Sequence, residues 1–285
     1  MNAPPAWLRS GRVRLGLAIV SLIALIALLA PWIAPHDPNE QNLISILLPP
    51  AWAKGGDALF PLGTDSLGRC VLSRLIYGAR VAMTVAIVAS LGATIIGAVL
   101  AHVAGYFGGW IDWLISRVVD VWMSFPPVIL SLILMVGLGI GVRNVILAIV
   151  LVDWTRFCRV LRSEVLVVTR RDYVSAARLI GFSHWRTITR EILPATLPLL
   201  ITLVSLEMGI AVIVEAILSF VGMSVGPNTP AWGQMIADAR QYIYDSPWNL
   251  VLPILMIFIA VLGFNVLGDG LRRTLDVRLT ETQRA

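Results

Sequence analysis

The sequence predicts an all-α membrane protein with six transmembrane helices, and its composition is the first observation behind that fold class. Of the 285 residues, 58% are hydrophobic and only 14% are charged, whereas an average soluble domain carries about a quarter charged residues. A soluble core of this size cannot hide so much apolar surface, and a disordered chain needs low hydrophobicity. A soluble globular protein and a disordered chain are therefore excluded.

Six apolar runs are the second observation, because a hydrocarbon core of about 30 Å needs roughly 20 apolar residues in helical form. The third and fourth runs are short and close together, so their boundaries are the least well defined. The runs cover residues 15–33, 81–104, 128–140, 145–157, 195–221 and 248–267.

The distribution of basic residues is the third observation, and it predicts that both termini lie in the cytoplasm. With the N-terminus inside, sixteen of the 22 Lys and Arg residues fall on the cytoplasmic side, as the positive-inside rule requires. The net charge of +5 then reflects orientation, and nucleic acid is not an expected partner. The first run also has the arrangement of a signal peptide, but cleavage after Ala30 is disfavoured because Pro31 would follow the cut.

This topology divides the chain into an N-terminal segment with the first span, an external loop, a five-helix core that includes a cytoplasmic loop at residues 156–193, and a cytoplasmic tail. The four segments cover residues 1–34, 35–79, 80–270 and 271–285.

Two amphipathic segments are expected to lie along the membrane surface. The external loop ends in apolar residues at helical spacing, with Thr64 or Asp65 available as a cap, which predicts a short interfacial helix. Residues 111–122 likewise place apolar side chains on one helical face and polar side chains on the other. Pro126 and Pro127 should break or kink the chain between this helix and the third span.

The cytoplasmic segment 156–191 carries eight arginines and predicts a helix, a turn and a second helix. The turn falls at Gly181, and the second run starts at His184 and is expected to stop near Pro194. The exposed apolar residues of this segment are expected to contact another molecule, which is either a partner protein or the lipid headgroups. Four residues share one face of the first helix: Tyr173, Ala176, Ala177 and Ile180.

This segment resembles the EAA loop of the membrane subunits of ATP-binding-cassette importers, in which E-A-A-x-x-x-G precedes I-L-P. Here residues 175–177 read S-A-A, Gly181 follows, and residues 192–194 read I-L-P. Two further stretches resemble the dipeptide, oligopeptide and nickel branch of that family. One is PLGTDSLGRCVLSRLIYGAR, where the branch usually has Asp at Cys70, and the other is LSFVGMSVGPNTPAWGQMI at residues 218–236.

The resemblance implies a type I importer permease fold with a cytoplasmic coupling helix. Such a permease pairs with a second, similar permease and receives its cargo from an external binding protein. Two cytoplasmic ATPase subunits bind ATP and Mg, so this chain would bind no cofactor and would not itself be an enzyme. Carried over by motif, the ATPase-coupling positions are Ala176, Ala177 and Gly181, with Tyr173 and Arg178 as neighbours.

The sequence is consistent with ATP being bound by other subunits, because the chain has no G-x-x-x-x-G-K-[ST] loop to hold the phosphates of a nucleotide. Lys54 is its only lysine. No Ser-His-Asp arrangement and no metal-ligand spacing is present either.

Ionisable residues inside the predicted spans are candidates for a translocation path, because a charge in the hydrocarbon is costly. Glu207 and Glu215 can face the same side of the fifth span, Asp153 lies in the fourth, and His102 lies near the end of the second. Such a lining suits the cationic end of a peptide or a metal ion. The alternatives are pairing with the partner permease and a shallow position near the interface.

The function expected from the sequence is therefore that of a permease in a bacterial inner-membrane importer of peptides. An importer of nickel or of a metal chelate is the close alternative, since the motifs do not separate the two. A secondary transporter is the alternative of another class; it would carry its own coupling-ion site and often an internal repeat, and no repeat is visible between the two halves.

Overall fold

The computed structural model describes residues 10–275, so Arg9 and residues 276–285 of the predicted tail lie outside the described part. A π-helical turn, Ile188–Ile192, joins the short helix His184–Thr187 to the long helix Leu193–Phe220. In chain order the helices are α1 (Gly11–Ile33), α2 (Val71–Phe107), α3 (Gly109–Met123), α4 (Pro127–Leu138), α5 (Val142–Thr169), α6 (Asp172–Leu179), α7 (His184–Thr187), α8 (Leu193–Phe220), α9 (Trp232–Ala239) and α10 (Trp248–Leu275).

Four helical stretches within residues 10–275 are long and apolar enough to cross a membrane: α1, α2, α10 and the continuous stretch His184–Phe220. Together α3 and α4 would make a fifth span, bent by 87°. The bend falls at Pro126 and Pro127, and this confirms the predicted break. Helix α5 is also long, 28 residues or about 42 Å. It is not counted among these apolar spans because it carries several charged residues.

Helix α2 begins ten residues before the predicted second span, and this corrects the predicted external loop. Residues 71–79 are not a separate interfacial helix but the first turns of α2, so the expected boundary at residue 79 lies inside that helix. Asp65 does not cap a helix; its Oδ1 accepts hydrogen bonds from the backbone N–H groups of Leu67 and Arg69 in a turn. The apolar spacing that suggested a surface helix serves burial in the core, where Leu75 is 4% exposed.

The helical run that starts at His184 does not stop near Pro194, and this is a second correction. Pro194 lies in the first turn of α8, where the missing N–H of a proline is tolerated. Helix α7 therefore continues through the π-helical turn into α8.

Small residues let the other helices approach α2 closely. The positions where a Cβ would stand on Gly97 and Gly105 are occupied by atoms of α5, from Phe157 in the first case and Val165 in the second. Close approach at small residues is typical of helices that associate in a membrane. Helix α2 is thus held along α5 on one side, and it also packs against α1 and α8.

Candidate functional site

The segment that contains α6, the following turn and α7, residues 172–187, ends its first helix in a Schellman motif. The N–H of Phe182 donates to the carbonyl of Ala177 at 3.0 Å, and the N–H of Gly181 donates to that of Arg178 at 3.1 Å. Gly181 has a φ of +95°, which L residues rarely adopt. Ser183 then caps α7. The predicted helix, glycine turn and second helix are confirmed as local structure.

The residues predicted to share one face of α6 are divided between two sides of it. Ala177 and Val174 are buried, 6% and 2% exposed. Tyr173, Ala176 and Ile180 are exposed. The boundary between the packed and the open side of α6 therefore runs between Ala176 and Ala177.

Exposed apolar side chains surround the glycine turn. Leu179, Ile180 and Trp185 are 88%, 75% and 74% exposed. Sequence reasoning did not single out Leu179 or Trp185 as surface residues, although their position beside Gly181 was the available signal. An apolar surface of this kind marks a contact with another molecule, and we call Tyr173, Leu179, Ile180 and Trp185 the apolar patch.

Arg178, predicted as a neighbour of the coupling positions, is turned back towards α2. Its Nη1 donates to the hydroxyl of Tyr106 at 2.6 Å and also contacts Nδ1 of His184. The same hydroxyl lies 3.0 Å from Nδ1 of His184. Arg178 therefore makes its polar contacts within the chain itself.

Two of the predicted path residues, Asp153 and Glu207, meet at one arginine of α5. Arg156 donates from Nη1 to Oε2 of Glu207 at 3.1 Å and from Nη2 to Oδ1 of Asp153 at 3.4 Å. Both carboxylates are buried, and Oε1 of Glu207 has no hydrogen-bond partner within residues 10–275. Asp153 and Arg156 also line a cavity of about 50 Å³ beneath the bend between α3 and α4.

The third predicted path residue, Glu215, is held separately. Its Oε1 accepts hydrogen bonds from the hydroxyls of Ser219 at 2.6 Å and Ser224 at 3.1 Å. His102 is also buried, and its Nε2 lies 3.1 Å from the hydroxyl of Thr196. Within the described part of the chain, no group of three or more His, Cys, Asp or Glu side chains is arranged to hold a metal ion.

Helix α3 turns its acidic face towards arginines of α5. Arg162 pairs with Asp112, and Arg159 pairs with Asp120. The exposed side of α3 carries apolar residues such as Trp110 and Trp113. Two carboxylates of its polar face are therefore paired with α5, and the helix presents apolar side chains outwards.

A cluster of charges that the sequence did not reveal surrounds the beginning of α2. Arg69 lies 2.6 Å from Oδ2 of Asp65 and 3.4 Å from Oδ2 of Asp238. Arg74, only 1% exposed, lies 3.7 Å and 3.9 Å from the same two oxygens. Burial raises the pKa of Asp238, while Arg74 and Arg69 act to lower it. These four residues form what we call the α2 charge cluster.

Trp232 closes the same junction. Its indole N–H donates to the carbonyl of Leu75 at 3.0 Å, and its ring fills the space where Gly78 has no Cβ. The two stretches that flank Cys70 and Pro227 in the sequence are thus in direct contact. Their similarity to one family was the only signal for this contact, because 157 residues separate Trp232 from Leu75.

Several membrane-length helices around buried charge pairs, with an apolar patch on a short helical segment, are features of an integral membrane protein. The chain belongs to the family described as binding-protein-dependent transport system inner membrane components, whose model matches residues 75–281. Residues 9–50 match a second model, the N-terminal transmembrane domain of oligopeptide transport permease C. The family resemblance found in the three motifs is thereby confirmed, and the members of this family are permease subunits of importers.

Named relatives cover most of the chain. The di/tripeptide transport system permease protein DppC of Pseudomonas aeruginosa is 40% identical over 264 residues, 93% of this chain and 87% of the relative. The dipeptide transport system permease protein DppC of Haemophilus influenzae is 37% identical over 94% of this chain and 90% of its own. The nickel transport system permease protein NikC of Escherichia coli K12 is 41% identical over 94% of both chains.

Proposed function

We propose that this chain forms part of the translocation path of an ATP-driven importer of di- or oligopeptides in a bacterial inner membrane. A second, similar permease completes the path, two ATPase subunits bind ATP and Mg on the cytoplasmic side, and an external binding protein delivers the peptide. The observation that carries the proposal is the apolar patch around Gly181, within a chain of this importer family.

The apolar patch, which includes Tyr173, is the docking surface for the ATPase subunits. Ala176 and Gly181 are exposed beside it, and Ala177 is buried. Only two residues separate the end of α5 from α6, and α7 continues into α8. A displacement of the segment therefore moves α5 and α8 together. The ATPases can drive the change only through different affinities for its two positions.

In this proposal both termini lie in the cytoplasm, and α5 is a sixth span. Four of the six charged residues of α5 are paired: Arg156 with Asp153 and with Glu207 of α8, and Arg159 and Arg162 with aspartates of α3. Pairing offsets part of the cost of removing a charge from water. Their pairing supports a span in which the polar side chains are turned inwards.

Asp153 and Glu207 are proposed to lie along the path, where they would attract the ammonium group of a peptide. Two carboxylates share the single guanidinium of Arg156, so the group carries one more negative than positive charge when all three are ionised. Glu215, enclosed by two serines, is the third proposed path residue.

An importer of nickel or of a nickel chelate is the second candidate, and the similarity to NikC supports it. The identity to that nickel permease, 41%, is as high as the identity to the peptide permeases. The two candidates share the fold and the coupling and differ only in cargo.

Uptake by the reconstituted importer tests the proposal. The chain, its partner permease, the two ATPases and the binding protein are placed in liposomes, and uptake of a labelled dipeptide and of radioactive nickel is measured with ATP, with ADP and with a proton gradient alone. We expect dipeptide uptake only with ATP. Uptake driven by the proton gradient alone would overturn the importer, and ATP-driven uptake of nickel without peptide would replace the proposed cargo.

A further inference from the structure

Tyr106, the penultimate residue of α2, contacts a segment that is distant from it along the chain. Arg178 lies 72 residues away and donates to its hydroxyl. Because an arginine can only donate, Nδ1 of His184 acts as the acceptor towards Arg178. The Tyr106 hydroxyl lies 3.0 Å from the same nitrogen and shares its single lone pair as a second donor. We call Tyr106, Arg178 and His184 the clasp.

The rings of the clasp are packed as well as hydrogen-bonded. The rings of Tyr106 and His184 meet edge to face with centroids 5.6 Å apart, a favourable arrangement of two aromatic rings. Phe107 packs beside both of them. The clasp therefore fixes the position of α6 and α7 relative to α2, and it does not rest on a single contact.

The clasp supplies a connection that the backbone does not. Helices α5 and α8 are joined to the α6–α7 segment through the chain, whereas α2 continues into α3 through Gly108 and Gly109, both with positive φ. A buried apolar cluster also spans this region and includes Ala101 of α2 and Val174 of α6. The clasp adds directional polar bonds to that apolar contact, and hydrogen bonds to a charged group are roughly twice as strong as neutral ones.

Helix α2 then reaches from the clasp to the α2 charge cluster. It has 37 residues and is about 55 Å long, which exceeds the thickness of a bilayer core. At its far end Arg74 lies between Asp65 and Asp238, and the carbonyl of Leu75 accepts from Trp232. A rigid helix held at both ends can carry a displacement from one side of the membrane to the other.

We infer that Tyr106 is a positioning residue that ties the α6–α7 segment to α2, so that movement of this segment is transmitted along α2 across the membrane. The inference rests on the proposed function, since the ATPase subunits supply that movement. Arg178 and His184 hold the hydroxyl of Tyr106, and none of the three needs to touch the ATPase or the cargo.

Uptake per ATP hydrolysed is the readout that separates positioning from mere stability. In the reconstituted importer we compare Tyr106→Phe, Arg178→Met and the double variant with the wild type. Tyr244→Phe is the matched control, because it removes the same hydroxyl from a residue that is 98% exposed. Tyr106→Phe keeps the ring, so the variant is expected to fold and assemble.

We expect Tyr106→Phe to lower uptake per ATP on the order of tenfold, the scale of one lost hydrogen bond to a charged group, with an unchanged KM for ATP. The double variant should be no worse than the poorer single variant, since both remove one interaction. Arg178→Lys, which keeps a charged donor, should retain more coupling than Arg178→Met.

Two results overturn the clasp: Tyr106→Phe with wild-type uptake per ATP, or losses in the two single variants that simply add in the double variant. Both of these results require a wild-type complex that transports with ATP. A wild-type complex that takes up peptide without ATP contradicts the proposed function itself, so the two failures are distinguishable.

Discussion

An arginine and a tryptophan occur at each end of α2, but they are buried at its beginning and exposed at its end. At its beginning, Arg74 and Trp232 are each 1% exposed, and Arg74 lies between two aspartates. At its end, Arg178 is exposed and bonded to neutral groups, and Trp185 is 74% exposed. The first junction is closed by the chain itself, whereas the second leaves apolar surface for another molecule.

The physical reason for this difference is the cost of burying polar groups. A guanidinium that leaves water needs opposite charge close by, and the carboxylates of Asp65 and Asp238 provide it for Arg74 at 3.7 Å and 3.9 Å, as ion pairs without a direct hydrogen bond. At the other end no acidic side chain is paired with Arg178 within residues 10–275. Burial by this chain alone is therefore not favoured there, and the apolar patch stays open.

Truncating the tryptophan at each end of α2 should give the largest difference between the two ends. We expect Trp232→Ala to destabilise the purified permease by about 3–5 kcal/mol, as for other large core truncations, because it opens a cavity beside Gly78 and removes the bond to Leu75. Trp185→Ala should leave the stability nearly unchanged and weaken binding to the ATPase subunits.

Thermal unfolding in detergent and copurification with the ATPases measure the two effects. If Trp185→Ala unfolded the permease as readily as Trp232→Ala, the second junction would be closed in the same way as the first. That result would contradict the claim that the chain buries one end of α2 and leaves the other end open.

A smaller effect is expected at the glycine turn, with a glycine of α4 as the matched control. Neither Gly181 nor Gly137 has an atom within 4 Å of an added Cβ, but only Gly181 has a positive φ. Gly181→Ala should strain the turn by about 1–2 kcal/mol, which lowers the unfolding temperature by only a few degrees, and should reduce uptake per ATP several-fold. Gly137→Ala should leave uptake unchanged. Equal uptake by the two variants would contradict the role of this turn.

Local structure was predictable from the sequence where neighbouring residues determine it. Two adjacent prolines predicted the bend between α3 and α4, and Gly181 predicted the turn after α6, because both residue types restrict the backbone locally. The same local reasoning was wrong at Pro194, since a proline in the first turn of a helix has the same appearance in sequence as one that ends it.

Contacts between distant residues were not predictable in the same way. Helical spacing placed Ala176 and Ala177 on one face, but the packing of α6 on the core decided which of the two is buried. Nothing near Tyr106 indicates that Arg178 will reach it, and nothing near Arg74 indicates Asp238. Such pairs depend on how the helices pack, which a single sequence records only through its similarity to a family.

The central claim is that ATPase subunits bind this chain at the α6–α7 segment. Photo-crosslinking from the apolar patch tests this claim most directly. A benzophenone amino acid is placed at position 179, which is 88% exposed, and at position 174 as a control, which is 2% exposed. In the assembled importer we predict a crosslink to an ATPase subunit from position 179 that changes with ATP, and none from position 174. Crosslinks from position 179 to lipid alone, with the ATPases present and active, would contradict the claim.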